Sequence, residues 1–230
     1  MGYPEQAIDL FRGQEPMTIV CAVKVGQNLF LATDSAVGEL QLKTTTDKKI
    51  AHVDNPPLVW ATAVDEAIGD MFGAWLRQYL AATPPQPLTW EKVVGDSVSR
   101  LAGLNGNRVL AGQLNRITTV PERDLCEVLL VGYVAGMPEI VHLEVSGAWT
   151  MHVAAGRTFA SIGGGAPYAA MAYEVLKEKD LLPADGADAI GEVAGLAAKH
   201  APKCEPPVHI WRATPEGVEE VDGQGTQPQV

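Results

Sequence analysis

The chain has 230 residues, of which 47% are hydrophobic, and this favours one large globular domain over two. The formal net charge of −11 argues against nucleic acid or an anionic membrane surface as a partner. No apolar stretch is long enough to cross a bilayer, and three widely spaced cysteines indicate reduced thiols, so we expect a cytoplasmic protein.

The first predicted element is a hairpin over residues 18–34, which turns near Gly26-Gln27-Asn28 between two apolar runs. The preceding segment, residues 1–17, is short and polar, and its few apolar residues cannot form the core of a signal peptide. We expect this segment to be a leader that is removed, or the product of a start site assigned too early.

A short buried strand is predicted at Leu58–Val64, followed by a helix over Asp65–Leu80, where apolar residues recur three and four positions apart. A proline-rich stretch at 83–87 ends this helix, and Thr89 is predicted to cap a second one. Residues 104–119 contain glycine and asparagine, which predict a loop or a frayed helix.

The second half of the chain repeats the order of strands, two helices and strands. Strands are predicted at Leu125–Val134, Glu139–Val145 and Trp149–Ala154, helices at Pro167–Lys177 and Asp185–His200, and a hairpin at Val208–Ala213 and Gly217–Val221. The Gln/Gly/Pro-rich tail, 222–230, is predicted to be disordered. This order predicts an α+β domain over residues 18–221. Two mostly antiparallel sheets would pack face to face, with a helix pair outside each, as a four-layer αββα sandwich.

Three residues in the first quarter of the chain suggest a reactive site. Thr18 begins the first strand, Asp34 ends the second, and Lys49 closes a polar stretch, so the three could meet at one sheet edge. A threonine hydroxyl becomes a nucleophile when a base takes its proton, and a free α-amino group with a pKa of about 8 can be that base. Lys49 would favour the forming alkoxide, and Asp34 would hold Lys49 by a charge-assisted hydrogen bond. The alternative is that these are ordinary strand residues.

Residues 18–37 resemble the amino-terminal hairpin of proteasome β-type subunits, and especially of the bacterial HslV-type peptidases. Those proteins are N-terminal-nucleophile (Ntn) hydrolases that carry a threonine, an acid-terminated second strand and a lysine after a polar loop. Thr18, Asp34 and Lys49 fall on these three positions. The resemblance implies the Ntn-hydrolase fold.

A second segment, Ala160–Ala169, resembles the glycine-rich turn that opens the first helix of the carboxy-terminal helix pair in that family. Together the two motifs carry a resemblance over roughly Thr18 to Arg212. The chain departs from the family at Gly164, where the family usually has a serine, and at Ala61, where the family has a glycine whose amide serves the oxyanion hole. Backbone amides near Gly164 and Ala61 are the oxyanion donors that the resemblance implies.

The resemblance further implies a threonine-type endopeptidase without a cofactor or metal, in which Thr18 acts after residues 1–17 are removed. Its substrates would be peptides or unfolded proteins, enclosed by a homo-oligomeric double ring of six- or sevenfold symmetry. An ATP-dependent unfoldase is a candidate partner. The candidate residues of the substrate pocket are Val37, Lys48, Val59 and Ala63.

Two other interpretations stay open. The chain could be a non-catalytic assembly or gating subunit of the same fold, in which residues 1–17 remain attached and cap Thr18. It could also be a small-molecule amidase of the wider Ntn class, although those enzymes commonly begin with cysteine or serine. The five histidines never pair at metal-ligand spacing, and Gly163-Gly164-Gly165 lacks the lysine and hydroxyl residue of a phosphate-binding loop.

Overall fold

The computed structural model describes residues 18–34, 49–63, 66–82, 87–114, 125–201, 204 and 208–221. The strands are β1 (Val20–Val25), β2 (Asn28–Asp34), β3 (Ile50–Val53), β4 (Leu58–Ala63), β5 (Glu127–Val134), β6 (Met137–Leu143), β7 (Trp149–Met151), β8 (Phe159–Ile162), β9 (Val208–Thr214) and β10 (Gly217–Val221). The helices are α1 (Glu66–Ala81), α2 (Trp90–Leu114), α3 (Ala166–Glu178) and α4 (Gly186–His200). The described part is therefore mixed α+β, as predicted.

The first sheet has five antiparallel strands in the order β10-β9-β2-β1-β8. The predicted hairpin is confirmed: β1 and β2 pair from Val25 opposite Asn28 to Val20 opposite Thr33. Gly26 takes the positive φ of 59° that a tight turn requires. The turn therefore fixes which residues of the two strands face each other.

The second sheet has five antiparallel strands in the order β3-β4-β5-β6-β7. Strands β4, β5, β6 and β7 overlap the predicted ones. Strand β3 is absent from the predicted elements because it has only four residues, and Ile50 is the one that is buried. Such a short edge strand leaves almost no alternation to detect.

Helix α2 corrects the prediction of a loop or frayed helix beyond residue 104. Thr89 accepts a hydrogen bond from the Lys92 amide at 3.4 Å, as expected of its cap, but the helix continues to Leu114. The Asn105 side chain donates to the carbonyl of Cys126 and accepts from its amide, both at 3.0 Å. This tertiary contact outweighs the low helix propensity of the glycine and asparagine residues.

Three apolar clusters account for nearly all of the buried hydrophobic residues of the described structure. The first joins α1 and α2 to the second sheet, and the second joins α3 and α4 to the first sheet. The third, here called the inter-sheet cluster, joins strands of both sheets. Its buried members are Val20, Ala22, Leu29, Leu31, Ile50, Val59, Ala61, Ala63, Leu129, Val131, Tyr133, Ile140, Ala160, Ile162 and Ala213. Burial of this apolar surface is the main favourable term in folding.

Several expectations concern positions outside the described residues. These are the leader at 1–17, the pocket residues Val37 and Lys48, and the tail at 222–230. Within the described part of the chain, no helix combines the length and apolar character that a membrane span requires.

Candidate active site

Thr18, Asp34 and Gly163 lie at one end of the first sheet, which we call the site end. Thr18 precedes β1, whereas Asp34 is the last residue of β2 and Gly163 follows β8. Because β1 runs antiparallel to both β2 and β8, its start lies beside the ends of its two neighbours. Thr18 is therefore flanked by Asp34 on one side and by the glycine-rich turn on the other.

Lys49, Ala63 and Glu127 lie at the matching end of the second sheet. Lys49 precedes β3, Ala63 ends β4, and Glu127 begins β5 directly opposite Ala63. Lys49 contacts Asp34, and Glu127 contacts the Gly163 amide, so both reach the site end from the other sheet. Residues that are far apart in the sequence thus meet in one place.

Asp34 is a buried carboxylate that links the residue after Thr18 to a cation. Its side chain is only 1% exposed, and its Oδ1 accepts hydrogen bonds from the Ile19 amide at 3.0 Å and from the Lys49 ammonium at 2.9 Å. Lys49 is 13% exposed, so both charges are largely withdrawn from water. Charge-assisted bonds of this length are strong, and loss of either residue would remove the opposite charge that this pair provides to its partner.

The glycine-rich turn closes directly onto the backbone of Thr18. The Gly165 amide donates to the Thr18 carbonyl oxygen at 3.2 Å. Gly163 has a φ of 85°, and a Cβ added there would overlap the Thr18 carbonyl oxygen and lie 3.2 Å from the Ala63 methyl carbon. A glycine is required at this position for its conformation and for the close approach of the two backbones.

The two positions named as oxyanion donors lie in different surroundings. Gly164 is exposed in the turn beside Thr18, and its amide donates to no acceptor within the described residues. Ala61 is fully buried inside β4, between β3 and β5, where strand pairing engages the backbone. Ala63, two residues further on, is the β4 residue that contacts the turn.

The two proposed pocket residues in β4, Val59 and Ala63, also differ in their surroundings. Val59 is fully buried in the inter-sheet cluster, so it does not line an open pocket in the described structure. Ala63 is also buried, but it ends its strand and packs against the Gly163 position. The structure therefore brings Ala63 to the site end and leaves Val59 in the protein interior.

Glu127 is a polar contact of the site that the sequence interpretation missed. Its Oε2 accepts a hydrogen bond from the Gly163 amide at 3.4 Å and lies 3.9 Å from His142 Nε2. The available signal was weak: a charged residue opens an otherwise apolar strand, Glu127–Val134. Strand ends often carry such residues without any functional role, so this pattern alone selects no partner.

Two cysteines near Asp34 do not compete as nucleophiles. Burial and the negative charge of Asp34 raise the pKa of the Cys21 thiol far above its ordinary value. Burial, followed by Asp34, raises the pKa of Cys204 to about 12, and the nearby Lys49 offsets only part of this increase. These raised pKa values favour the protonated thiol at both positions, whereas the thiolate is the form that acts as a nucleophile.

No protein-family model and no curated protein sequence matches this chain. Within the residues that the structure describes, no group of three histidine, cysteine, aspartate or glutamate side chains could hold a metal ion. The described site thus offers a hydroxyl, a buried ion pair and backbone amides at the ends of paired strands.

Proposed function

We propose that the chain is an N-terminal threonine endopeptidase of the Ntn-hydrolase type, with Thr18 as the nucleophile. One observation carries this proposal: the buried Asp34 carboxylate binds both the Lys49 ammonium and the amide that follows Thr18. A cation is thereby fixed beside the strand start that holds the hydroxyl. An arrangement of a nucleophile, a charged group and an orienting third group is typical of covalent catalysis.

We also propose that the fold is a four-layer αββα sandwich. The three apolar clusters support it, because one lies between the sheets and each of the others joins a helix pair to one sheet. In such an arrangement the site end, where Thr18 is partly exposed, lies at the edge between the two sheets. A peptide could reach Thr18 there without disturbing the core.

Peptide cleavage would proceed in two steps. The Thr18 hydroxyl oxygen attacks the substrate carbonyl carbon while its proton passes to the α-amino group of the same residue. The tetrahedral intermediate collapses, the carbon–nitrogen bond breaks, and the amino group returns the proton to the leaving amine. Water then hydrolyses the ester, which releases the acid product and restores the hydroxyl.

The other residues of the site have supporting roles in this mechanism. The Lys49 ammonium favours the negatively charged oxygen of Thr18 as it forms, and Asp34 keeps that ammonium in place. The exposed Gly164 amide is the candidate donor to the oxyanion of the tetrahedral intermediate. This chemistry needs a free amine on Thr18, so removal of residues 1–17 is a condition of the proposal.

Assembly into a closed homo-oligomeric double ring that degrades peptides or unfolded proteins is also proposed, with an ATP-dependent unfoldase as a candidate partner. Large apolar side chains on the outer surface of α3 and just beyond it are exposed, namely Met171, Val175 and Leu181. Exposed apolar surface of this kind is common where protein chains associate. Its position on a helix is compatible with contacts between subunits.

The proposal is tested by the amino terminus and by covalent labelling. Native protein is purified, its amino-terminal residue is sequenced, and it is treated with a peptide epoxyketone, whose ring closure needs a hydroxyl and a free amine on one residue. We expect one adduct, located at Thr18. Thr18→Ala should give no adduct, whereas Thr18→Ser should retain labelling at a reduced rate.

Two results would count against the peptidase. One is the absence of an adduct on protein whose sequenced amino terminus is Thr18. The other is peptide cleavage by protein that keeps residues 1–17, because Thr18 then has no free amine. Inactive native protein that retains residues 1–17 would instead favour the non-catalytic subunit.

A further inference from the structure

The site end is held by two polar contacts that each cross from one sheet to the other. Lys49, at the start of β3 in the second sheet, binds Asp34 at the end of β2 in the first. Glu127, at the start of β5 in the second sheet, binds the Gly163 amide after β8 in the first. Each contact therefore ties the two sheets together at the end that carries Thr18.

The strand orders place Thr18 between these two contacts. In the first sheet, β1 lies between β2 and β8, and in the second sheet β4 lies between β3 and β5. Thr18 therefore precedes the strand that lies between β2, which ends at Asp34, and β8, which Gly163 follows. The two contacts flank it on opposite sides.

Glu127 acts on the turn that also holds the Thr18 backbone. The Gly163 amide donates to Glu127, and two residues later the Gly165 amide donates to the Thr18 carbonyl oxygen. The Gly163 bond is long, at 3.4 Å, but its acceptor is a carboxylate, and such bonds are stronger than neutral ones. The carboxylate is 28% exposed, so it is partly shielded from competing water.

We infer that Glu127 is a positioning residue for the proposed site: it fixes the Gly163–Gly165 turn against Thr18 from the opposite sheet. This inference rests on the proposed function of Thr18. Glu127 holds the peptide unit between Ile162 and Gly163, and so fixes the start of the turn whose next amide is the exposed Gly164 amide. Donors of this kind must be fixed before the reaction in order to stabilise the oxyanion.

The experiment uses native protein and three variants of Glu127. Glu127→Ala removes the acceptor, Glu127→Asp keeps the charge but shortens the side chain, and Glu127→Gln keeps an oxygen at the same reach. Glu144→Ala is the matched control, because it removes a carboxylate just after the neighbouring strand β6 and leaves Gly163 its acceptor. Thermal unfolding of each variant identifies those that fold.

The first measurement is hydrogen exchange at the Gly163 amide. We expect exchange to accelerate by about tenfold in Glu127→Ala and Glu127→Asp, and to stay near the native rate in Glu127→Gln and Glu144→Ala. Exchange that is unchanged in both Glu127→Ala and Glu127→Asp would overturn the inference. If only Glu127→Asp folds, its exchange rate decides the question.

The second measurement is peptide hydrolysis by the same proteins. We expect kcat to fall by about tenfold in Glu127→Ala with KM nearly unchanged, and Glu127→Gln to restore most of it. If activity fell only because less protein was folded, the amide oxygen of the Glu127→Gln side chain would not be expected to restore it. Faster exchange with an unchanged kcat would overturn the positioning role.

If Thr18 is not a nucleophile, labelling and hydrogen exchange give a different combination of results. In that case native protein with Thr18 at its amino terminus forms no epoxyketone adduct, although the exchange of Gly163 still depends on Glu127. The adduct on native protein therefore tests Thr18 as the nucleophile, and the exchange rate tests the contact that Glu127 makes.

Discussion

Two buried carboxylates, Asp34 and Glu139, show how similar groups serve different ends in this molecule. Asp34 is 1% exposed and Glu139 is 2% exposed. Asp34 binds a backbone amide and the Lys49 ammonium, close to Thr18. Glu139 accepts hydrogen bonds from three backbone amides, those of Ile140, Val153 and Ala154, and forms no ion pair with a described residue.

The difference lies in what each carboxylate holds in place. The amides around Glu139 belong to β6 and to the turn after β7, so that carboxylate fixes the path of the chain. Asp34 instead fixes a charged side chain next to the residue that carries the hydroxyl. Burial alone does not identify a reactive acid, whereas a buried acid that orients a cation beside a nucleophile is a candidate for catalysis.

The largest expected effect concerns the ion pair. Lys49→Met should slow epoxyketone labelling of Thr18 by at least about a hundredfold, because the charge that favours the alkoxide is gone. It should also lower the free energy of unfolding by about 3–5 kcal/mol, since the buried Asp34 loses the positive charge of Lys49. Chemical denaturation and the labelling rate measure the two effects.

The double variant Asp34→Asn/Lys49→Met separates stability from chemistry. The introduced asparagine would keep an oxygen for the Ile19 amide without leaving a buried charge, so much of the lost stability should return. Labelling should stay slow. Recovery of the labelling rate together with stability would show that the pair is purely structural.

Glu139→Ala should affect stability without affecting the chemistry of the site. Three backbone amides lose their acceptor, and we expect a loss of about 3 kcal/mol in the free energy of unfolding. Glu139→Gln keeps one acceptor oxygen and should lose less. Labelling of Thr18 per folded molecule should be unchanged, and a large fall in that rate would contradict the contrast with Asp34.

Gly163→Ala tests the close approach of the glycine-rich turn to Thr18, and Gly156→Ala is its control. Both glycines have a positive φ, 85° and 75°, but a Cβ at Gly156 would meet no atom within 4 Å. Gly156→Ala should therefore cost about 1–2 kcal/mol of backbone strain. Gly163→Ala should cost about 1–3 kcal/mol more because of the overlap with Thr18. Equal losses, measured by denaturation, would contradict the close approach.

The smallest effect is a pH dependence that arises near Glu139 and not at the site. Burial, then His142 and Arg157, lower the pKa of His152 from its ordinary value of 6.5. His152 therefore binds a proton more readily in the unfolded chain than in the folded one. The folded state is at its most stable, with respect to this group, above pH 6.5, and that stability is lost as the pH falls towards the pKa of His152 in the folded protein. The contribution is at most about 1.4 kcal/mol per pH unit.

Denaturation of His152→Phe as a function of pH tests this effect. We expect the variant to lose part of the decline in stability below pH 6.5, whereas the exposed His200→Phe should keep it. A native curve that is flat below pH 6.5 would contradict the prediction.

Local patterns predicted most of the secondary structure, and tertiary contacts account for the errors. The hairpin, the Thr89 cap and the helix at Gly186–His200 follow from alternation, helical spacing and capping residues, all of which act within a few positions. The last turns of α2 depend instead on the contact between Asn105 and Cys126. No pattern within the helix itself reveals that contact.

The same limit applies to the site, because some of its contacts join residues that are far apart in the sequence. A hairpin brings Asp34 next to the start of β1 by its register, so their proximity is predictable from a two-strand pattern. Lys49 and Glu127 reach the site from the other sheet, and Glu127 lies 36 positions from its partner Gly163. Ala61 and Ala63 lie in one predicted strand, and the strand pattern alone does not show that Ala63 is the residue that contacts the turn.

The small loop at Gly26 and Gln27 has an effect at a distance. It lies at the opposite end of the hairpin from Thr18, separated by the whole length of β1. Because side chains alternate between the faces of a sheet, a single inserted residue that shifted β2 would turn Asp34 away from Lys49. The length of one surface loop at the far end of the hairpin therefore determines whether Thr18, the proposed nucleophile, has a cation beside it.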